Sequence, residues 1–371
     1  MDSMATELRQ RGGPTLRRRH LLALAAVALL PLPARAATPW LVSAAADFEG
    51  GFLLAALDAD GSLRWRTDLP ARGHGLARRP GSGELVAMGR RPGVFARILD
   101  PASGDVLAGL APAEHRSFGG HAAFSADGRF LLTSEEEAVE ERGLVGVRDA
   151  EAGWTQIAEL SSGGVGPHDL TLLPGGKALV IANGGITTSV EMGRAVLTDG
   201  ELDSAIQILD PRGGGPLHTL RLDGELSELS LRHLSADRDG RIAFAAQNQG
   251  SADYDGPLVG LIEPDGALRW LEAPAGLGWR LRGYVGSVAF ADSGRLVVAT
   301  SPRGGRVIVW RVDDGALLAE VTLADVCGVA ANEAGILLST GEGTLCAMAG
   351  SGAEPSRLPV PHLQWDNHML G

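Results

Sequence analysis

Nine histidines occur in the 371-residue chain, and five of them, His74, His121, His168, His233 and His368, stand at one position of a recurring sequence unit. Imidazole is largely neutral near pH 7 and offers a nitrogen lone pair. Histidines that share one structural position are therefore candidate ligands for Zn, Cu, Fe or Ni. Asp169 beside His168 and Asp366 near His368 add carboxylates that can ligate an ion or orient an imidazole. A single histidine at a strand start more often caps backbone groups or packs on an aromatic ring. The shared phase raises these five above that reading, whereas His115, His218 and His362 fall outside it. The expected site is a multi-histidine transition-metal site, with iron or copper ahead of zinc.

The unit that must position them is a strand repeat. Helix-period patterns are nearly absent after the first 36 residues, and short apolar runs bounded by Gly, Asp or Pro recur instead. Copies read HGLARRPGSGELVAMG from His74, HAAFSADGRFLLTS from His121, HDLTLLPGGKALVIAN from His168 and HLSADRDGRIAFAAQ from His233. Two more lack the histidine: SVAFADSGRLVVATS from Ser287 and GVAANEAGILLSTG from Gly328. A third apolar run follows each pair, such as AIQILD or RVIVWRVDD, and then a weaker fourth, such as DGALRWLEA. Starts lie 47, 47, 65, 54 and 41 residues apart, and the longest interval holds an insertion between Asn183 and Ala205. Four antiparallel strands in roughly 40–50 residues is the pattern of a β-propeller blade. Trp40 to Thr67 supplies three strands without a first, and HLQWDNHML at the C-terminus supplies one strand with nothing after it. The two ends therefore complete a seventh blade, which removes exposed sheet edges. The expected fold is an all-β, seven-bladed propeller, rather than one of six or eight blades, forming a single domain over residues 37–371.

First strands of propeller blades line the central channel, so five imidazoles are expected at one mouth. Second strands run back to the same face. They end in Arg90-Arg91, Glu135-Glu136-Glu137, Asn183, Gln247 and, beyond Ser301, Arg303. Arg232 and Arg282 fall near that face too, and arginine suits a carboxylate or phosphate. The glutamates can equally be a solvated loop, and each arginine can equally pair with them. The opposite turns, SADGR, DRDGR and ADSGR, are generic. Cys327 stands close to the histidine phase, as a buried small side chain or as a soft ligand. Cys346 lies two strands away from it, beyond disulfide reach for strands about 4.8 Å apart. The ligand-binding candidates are thus Arg90, Arg91, Glu135, Asn183, Arg232, Gln247, Arg282, Arg303, Cys327 and Asp366.

The N-terminus reads as a targeting segment. Arg17-Arg18-Arg19-His20 leads into an apolar run, Leu21 to Leu30, that stops at Pro31 and Pro33 before an A-x-A cleavage site at Ala34-Arg35-Ala36. The run is too short to span a bilayer. A cleaved twin-arginine signal peptide over residues 1–36 is expected, with an ordinary Sec signal as the other reading, and so is a periplasmic location. Without that segment the net charge moves from −12 to −16, with 27 basic against 43 acidic residues and Lys177 the one lysine. This balance argues against nucleic acid or an anionic membrane as partner, and no later segment is apolar enough for membrane insertion. The common hydrolase, metalloprotease and c-haem signatures are missing, so no catalytic residue is assigned.

Taken in order, GHG, GRRPG, GHAAFS, GVRDA, GVGPHDL, ANGGI, LRHL, QNQG, RGYVGSVA, TSPRGG, DVCGVA and WDNHML resemble a family of exported bacterial proteins known as domain of unknown function 1513. The likeness spans nearly the whole chain after the signal. It implies a periplasmic β-propeller. Genes of such proteins lie beside those of imelysin-type proteins, which implies a role in iron acquisition with periplasmic iron-uptake proteins as partners. The positions matching family motifs are His74, Arg90, Arg91, His121, His168, Asn183, Arg232, His233, Gln247, Arg282, Arg303, Cys327, Asp366 and His368. The chain departs at the insertion. Thr187-Thr188-Ser189-Val190 stand where the family pattern is THPD-like, so no ligand is carried over from that loop. Three functions follow as expectations. The first is a periplasmic propeller binding a transition metal or metal-loaded ligand at a histidine-lined mouth. The second is a redox or hydrolytic enzyme using the same site. The third is a metal-free protein-interaction platform.

Overall fold

The computed structural model describes residues 40–371 except 194, 199, 200, 333, 334 and 351, so the expected signal peptide lies outside the described residues. Among the described residues the strands form seven four-stranded antiparallel sheets, the blades of a β-propeller. The count and the closure agree with the sequence reading. Blade 1 joins both ends of the chain: Gln364–Leu370 is innermost, followed outward by Leu41–Ala46, Phe52–Leu57 and Leu63–Leu69. Leu370 stands opposite Val42, and Trp365 opposite Ala45. The innermost strands of blades 2 to 7 are Gly73–Arg78, Arg116–Phe124, Pro167–Leu172, Leu229–Ala236, Ser287–Ala291 and Val326–Asn332. Each lies against the innermost strands of its two neighbours, and Val326–Asn332 meets Gln364–Leu370 to close the ring.

Burial falls from the inside of each blade to the outside, and the sequence follows it. Leu85–Gly89, second in blade 2, is buried throughout because adjacent blades cover both of its faces. Such a strand needs a continuous apolar run. Thr155–Ser161, outermost in blade 3, alternates exposed and half-buried residues and reads as a strand with one wet face. The cores sit between blades. Val42, Leu54 and Trp65 of blade 1 pack on Leu85, Ala87 and Leu99 of blade 2, and Leu337 and Leu345 of blade 7 pack on Leu53 and Trp365 of blade 1. Each fully buried Leu or Val contributes roughly 1.5–3 kcal/mol.

Six of the seven innermost strands are irregular, and the irregularities fall at the residues of interest. The register against the second strand slips between Gly73 and Leu76, Phe118 and Ala122, Pro167 and Asp169, Leu231 and His233, and Val326 and Gly328. In blade 1 it slips between Met369 and Trp365. Only Ser287–Ala291 of blade 6 pairs without a break. A bulge bends its strand and re-aims a side chain. In blade 3 the bulge is built on Gly120, whose φ of 108° excludes other residues, and a Cβ there would also stand 3.0 Å from the His74 ring.

Candidate metal centre

The bulges bring the five histidines together. Ring centroids of His74, His121, His168, His233 and His368 lie 4.5–6.5 Å apart in the pairs that touch, mostly edge to face. Two overlapping triads emerge: His74, His121 and His368, and His121, His168 and His233. Within each triad the ligand nitrogens all lie within 4.8 Å of one another. His121 belongs to both. His74, His121, His168 and His233 are buried, and His368 is half-buried.

Two carboxylates orient the rings. His74 Nδ1 is 3.1 Å from Asp366 Oδ1, and His121 Nδ1 is 3.2 Å from Asp169 Oδ1. Each pair crosses between blades. The carboxylate that follows His168 serves His121 of the preceding blade, and the one that precedes His368 serves His74 of the next. Adjacent strand residues point to opposite sides, so Asp169 is directed away from His168, whereas Asp366 stands two residues before His368 and is set apart from it by the bulge. Asp366 also accepts from Arg72 Nε and the Asn367 amide, and Asp169 accepts from the amides of Leu170 and Leu234. An imidazole that donates its Nδ1 proton to a carboxylate presents the Nε2 lone pair, as in metal sites generally. Buried ring nitrogens without a hydrogen-bond partner are His121 Nε2, His168 Nδ1, His233 Nδ1 and His368 Nε2.

Burial holds four of the imidazoles, His74, His168, His233 and His368, neutral. It lowers His74 to about 4 against the opposing pull of Asp366. Burial, followed by repulsion among the rings and from nearby arginines, sets His168, His233 and His368 well below the usual histidine range. Burial works against the Asp366 carboxylate, yet His74 and Arg72 hold it below the usual range, so it is ionised. The centre therefore offers neutral nitrogen donors on four of its rings, backed by the Asp366 anion.

The rim residues divide between two cavities. The inner one, about 50 Å³, is lined by His74, His168, His233, Arg90, Arg91, Arg232, Gln247, Tyr284 and Asn367. It has room for an ion and its small ligands, not for an organic cofactor. The outer one, about 260 Å³, shares Arg90, Tyr284 and Asn367 with it and adds Arg72, Arg303, Asp325, Cys327 and Trp365.

Other expected site residues are engaged elsewhere. Glu135 is fully buried in blade 3, where its Oε1 accepts from Arg148 and from Thr133 Oγ1, so it serves the blade and not the mouth. Its neighbour Glu136 takes the rim position. Glu136 accepts from Thr188 of the insertion, and burial raises its pKa against the opposing charges of Arg91 and Arg232. Asn183 donates to Ser162 O and holds the chain that enters blade 4. Arg282 is exposed and lines neither cavity. The Cys327 thiol lines the outer cavity, donates to Trp365 O at 3.3 Å and is pushed up by burial to about 12, so it is protonated and not a ready thiolate. Neither cysteine forms a disulfide. The insertion folds back on the rim, where Ile186 O accepts from Arg91, and brings no histidine to it. Arg72 and Tyr284 escaped the sequence reading. Both lie on turns just before an innermost strand, outside the repeat phase that was followed.

Fold and site together define a seven-bladed β-propeller with a polyhistidine centre at one channel mouth. A family model described as a protein of unknown function, DUF1513, matches residues 67–371, and the chain belongs to that family. No curated protein matches it. Among solved structures it is similar to Kuenenia stuttgartiensis hydrazine synthase, with a TM-score of 0.56, 14% identity, and coverage of 84% of this chain and 90% of that one. It is also similar to a chain of a mitotic checkpoint complex, with a TM-score of 0.57, 15% identity, and coverage of 93% and 92%. At such identities the likeness is one of fold.

Proposed function

We propose that the chain binds a transition-metal ion at the five-histidine centre and holds it for delivery in the periplasm. One observation carries the reading: five imidazoles converge, two are fixed by carboxylates on Nδ1, and among the described residues four buried ring nitrogens have no partner. A buried polar atom left unpaired costs about 1–3 kcal/mol. A purely structural histidine would spend both nitrogens on hydrogen bonds, and a bound ion would take up these lone pairs. An all-imidazole donor set suits Cu, Fe, Ni and Zn, and of these iron or copper is the proposed cargo. Periplasmic location, export by the twin-arginine route and hand-over to iron-uptake proteins belong to the same proposal, supported by the basic and apolar pattern of residues 1–36 and the family resemblance.

Metal analysis of protein purified from the periplasm tests the reading, with titration of the metal-free form by Fe(II), Cu(II) and Zn(II). His121→Ala removes the donor common to both triads and is expected to weaken binding about a hundredfold or more, since even the loss of an outer hydrogen-bond partner typically costs 10–100-fold. Undiminished metal content in that variant sinks the proposal, and so does a wild type that takes up no metal, which leaves the metal-free interaction platform. A redox or hydrolytic enzyme is the second reading, favoured by the outer cavity that adjoins the centre. Turnover by the metal-loaded protein separates the two.

A further inference from the structure

The imidazole ring is open on one side. Blades 1 to 5 each send a histidine to the centre, whereas blades 6 and 7 send none. The outer cavity lies at that opening. Its walls come from the segments leading into the innermost strands of blades 6 and 7, through Tyr284 and Asp325, from the turn between the second and third strands of blade 6, through Arg303, and from blades 1 and 2, through Trp365, Arg72 and Arg90. Arg72, Arg90 and Arg303 face Asp325, and with Arg72 paired to Asp366 the surroundings still hold three cations against two carboxylates in a chain of net charge −12.

Two of the donors there, Arg303 and Trp365, lack a matching acceptor among the described residues. The Arg303 guanidinium stacks 4.2 Å above the Tyr284 ring, and among the described residues no carboxylate pairs with it. Trp365 is 2% exposed, and among the described residues its buried indole N–H has no acceptor. Indole nitrogen and guanidinium only donate, so what they require is an oxygen acceptor. A stacked guanidinium keeps its planar fork free, and that fork matches a carboxylate with two parallel hydrogen bonds. The cavity volume of about 260 Å³ suits a small organic acid. Arg90, Tyr284 and Asn367 form a wall common to both cavities, so such an acid would lie against the histidine centre.

We propose that the outer cavity binds a small polycarboxylate, one end on Arg303 and Arg90 and the other toward the ion. The cargo is then a metal–carboxylate chelate instead of the bare ion. This rests on the metal reading for the ion but not for the anion. Calorimetric titration of citrate into the full chain, metal-free and metal-loaded, tests it, with inorganic phosphate as the comparison. Citrate is expected to bind the metal-loaded form at least tenfold more tightly than the metal-free form, and Arg303→Ala to weaken both at least tenfold with metal stoichiometry unchanged. Arg303 is exposed, so the variant should fold, and its melting temperature checks that. Citrate binding that Arg303→Ala leaves intact overturns the proposal, as does tighter binding of phosphate or no citrate binding by protein that takes up metal. If citrate binds through Arg303 to protein that takes up no metal, the anion site stands and the metal reading falls.

Discussion

Blades 1 to 5 and blades 6 and 7 are built from the same four-stranded unit and do different things with it. In the first group every innermost strand is bulged where its histidine stands, and the ring turns inward. Blade 6 runs its innermost strand without a slip and contributes a wall. Blade 7 is bulged like the first group but carries Cys327 at the slip. A regular strand alternates its side chains between two faces, both of which belong to neighbouring blades in a propeller. Breaking the register is what frees one residue to point along a third direction, into the channel. The bulge makes the position and the residue type makes the ligand.

The sharpest way to break the contrast is at the closure. Removing residues 364–371 takes away His368 and the whole innermost strand of blade 1, together with Asp366 and the buried Trp365. Loss of a buried tryptophan side chain alone costs about 3–5 kcal/mol, against a typical total of about 5–15 kcal/mol. The truncated chain is expected to lose its cooperative melting transition along with metal binding. An unchanged melting temperature would show that blade 1 does not close the ring as described.

Acidification comes next and, through the histidines, acts on blades 1 to 5. The unfolded histidines titrate near pH 6.5, whereas folded His74 titrates at about 4. Between those values the unfolded chain binds the extra proton, so stability of the metal-free protein is complete above pH 6.5 and falls as the pH drops toward 4. His74 accounts for about 3 kcal/mol of that loss, and His168, His233 and His368 extend it to lower pH. Denaturant melts at pH 7, 5.5 and 4.5 measure it. A flat profile would mean that the imidazoles are not buried as a group.

Asp169→Asn has a smaller effect and tests the cross-blade support. An amide keeps the shape but loses the charge that favours the Nδ1–H form of His121. Metal affinity is expected to fall about 10–100-fold. Isothermal titration of wild type and variant decides it, and an equal affinity would make Asp169 a purely structural acceptor for the Leu234 amide.

The blade count, the closing strand and the common phase of the five histidines were legible because they rest on periodicity, which one chain displays by itself. Which side chains share a rim was less so. Glu135 and Glu136 are adjacent and identical in type, and strand alternation sends one to Arg148 inside the blade and the other to the rim. A one-residue error in register exchanges them. Asp169 and Asp366 were legible as orienters but not as orienters of the neighbouring blade's histidine. That depends on how the blades pack around the axis, which no local pattern encodes. The outer cavity was invisible for the same reason: Arg72 and Tyr284 come from two different blade connections, Arg303 from a turn within blade 6 and Trp365 from the closing strand of blade 1.

Cys327 is the residue that decides whether blade 7 belongs with its bulged neighbours. By backbone it does, since its strand slips between Val326 and Gly328 just as the others slip at their histidines. By chemistry it does not. A thiol ligates as thiolate, and burial drives this one up to about 12 while its proton is directed at the carbonyl of Trp365. Cys327→Ser keeps a donor of similar size against that carbonyl and removes the only soft atom on the blade 7 strand. Metal stoichiometry is therefore expected to stay as in wild type, with affinity changed by less than about twofold, well below 1 kcal/mol, by titration with Cu(I) and Fe(II). A tenfold loss confined to Cu(I) would move blade 7 into the ligand set, close the open side of the ring, and take from the outer cavity its reason for lying there.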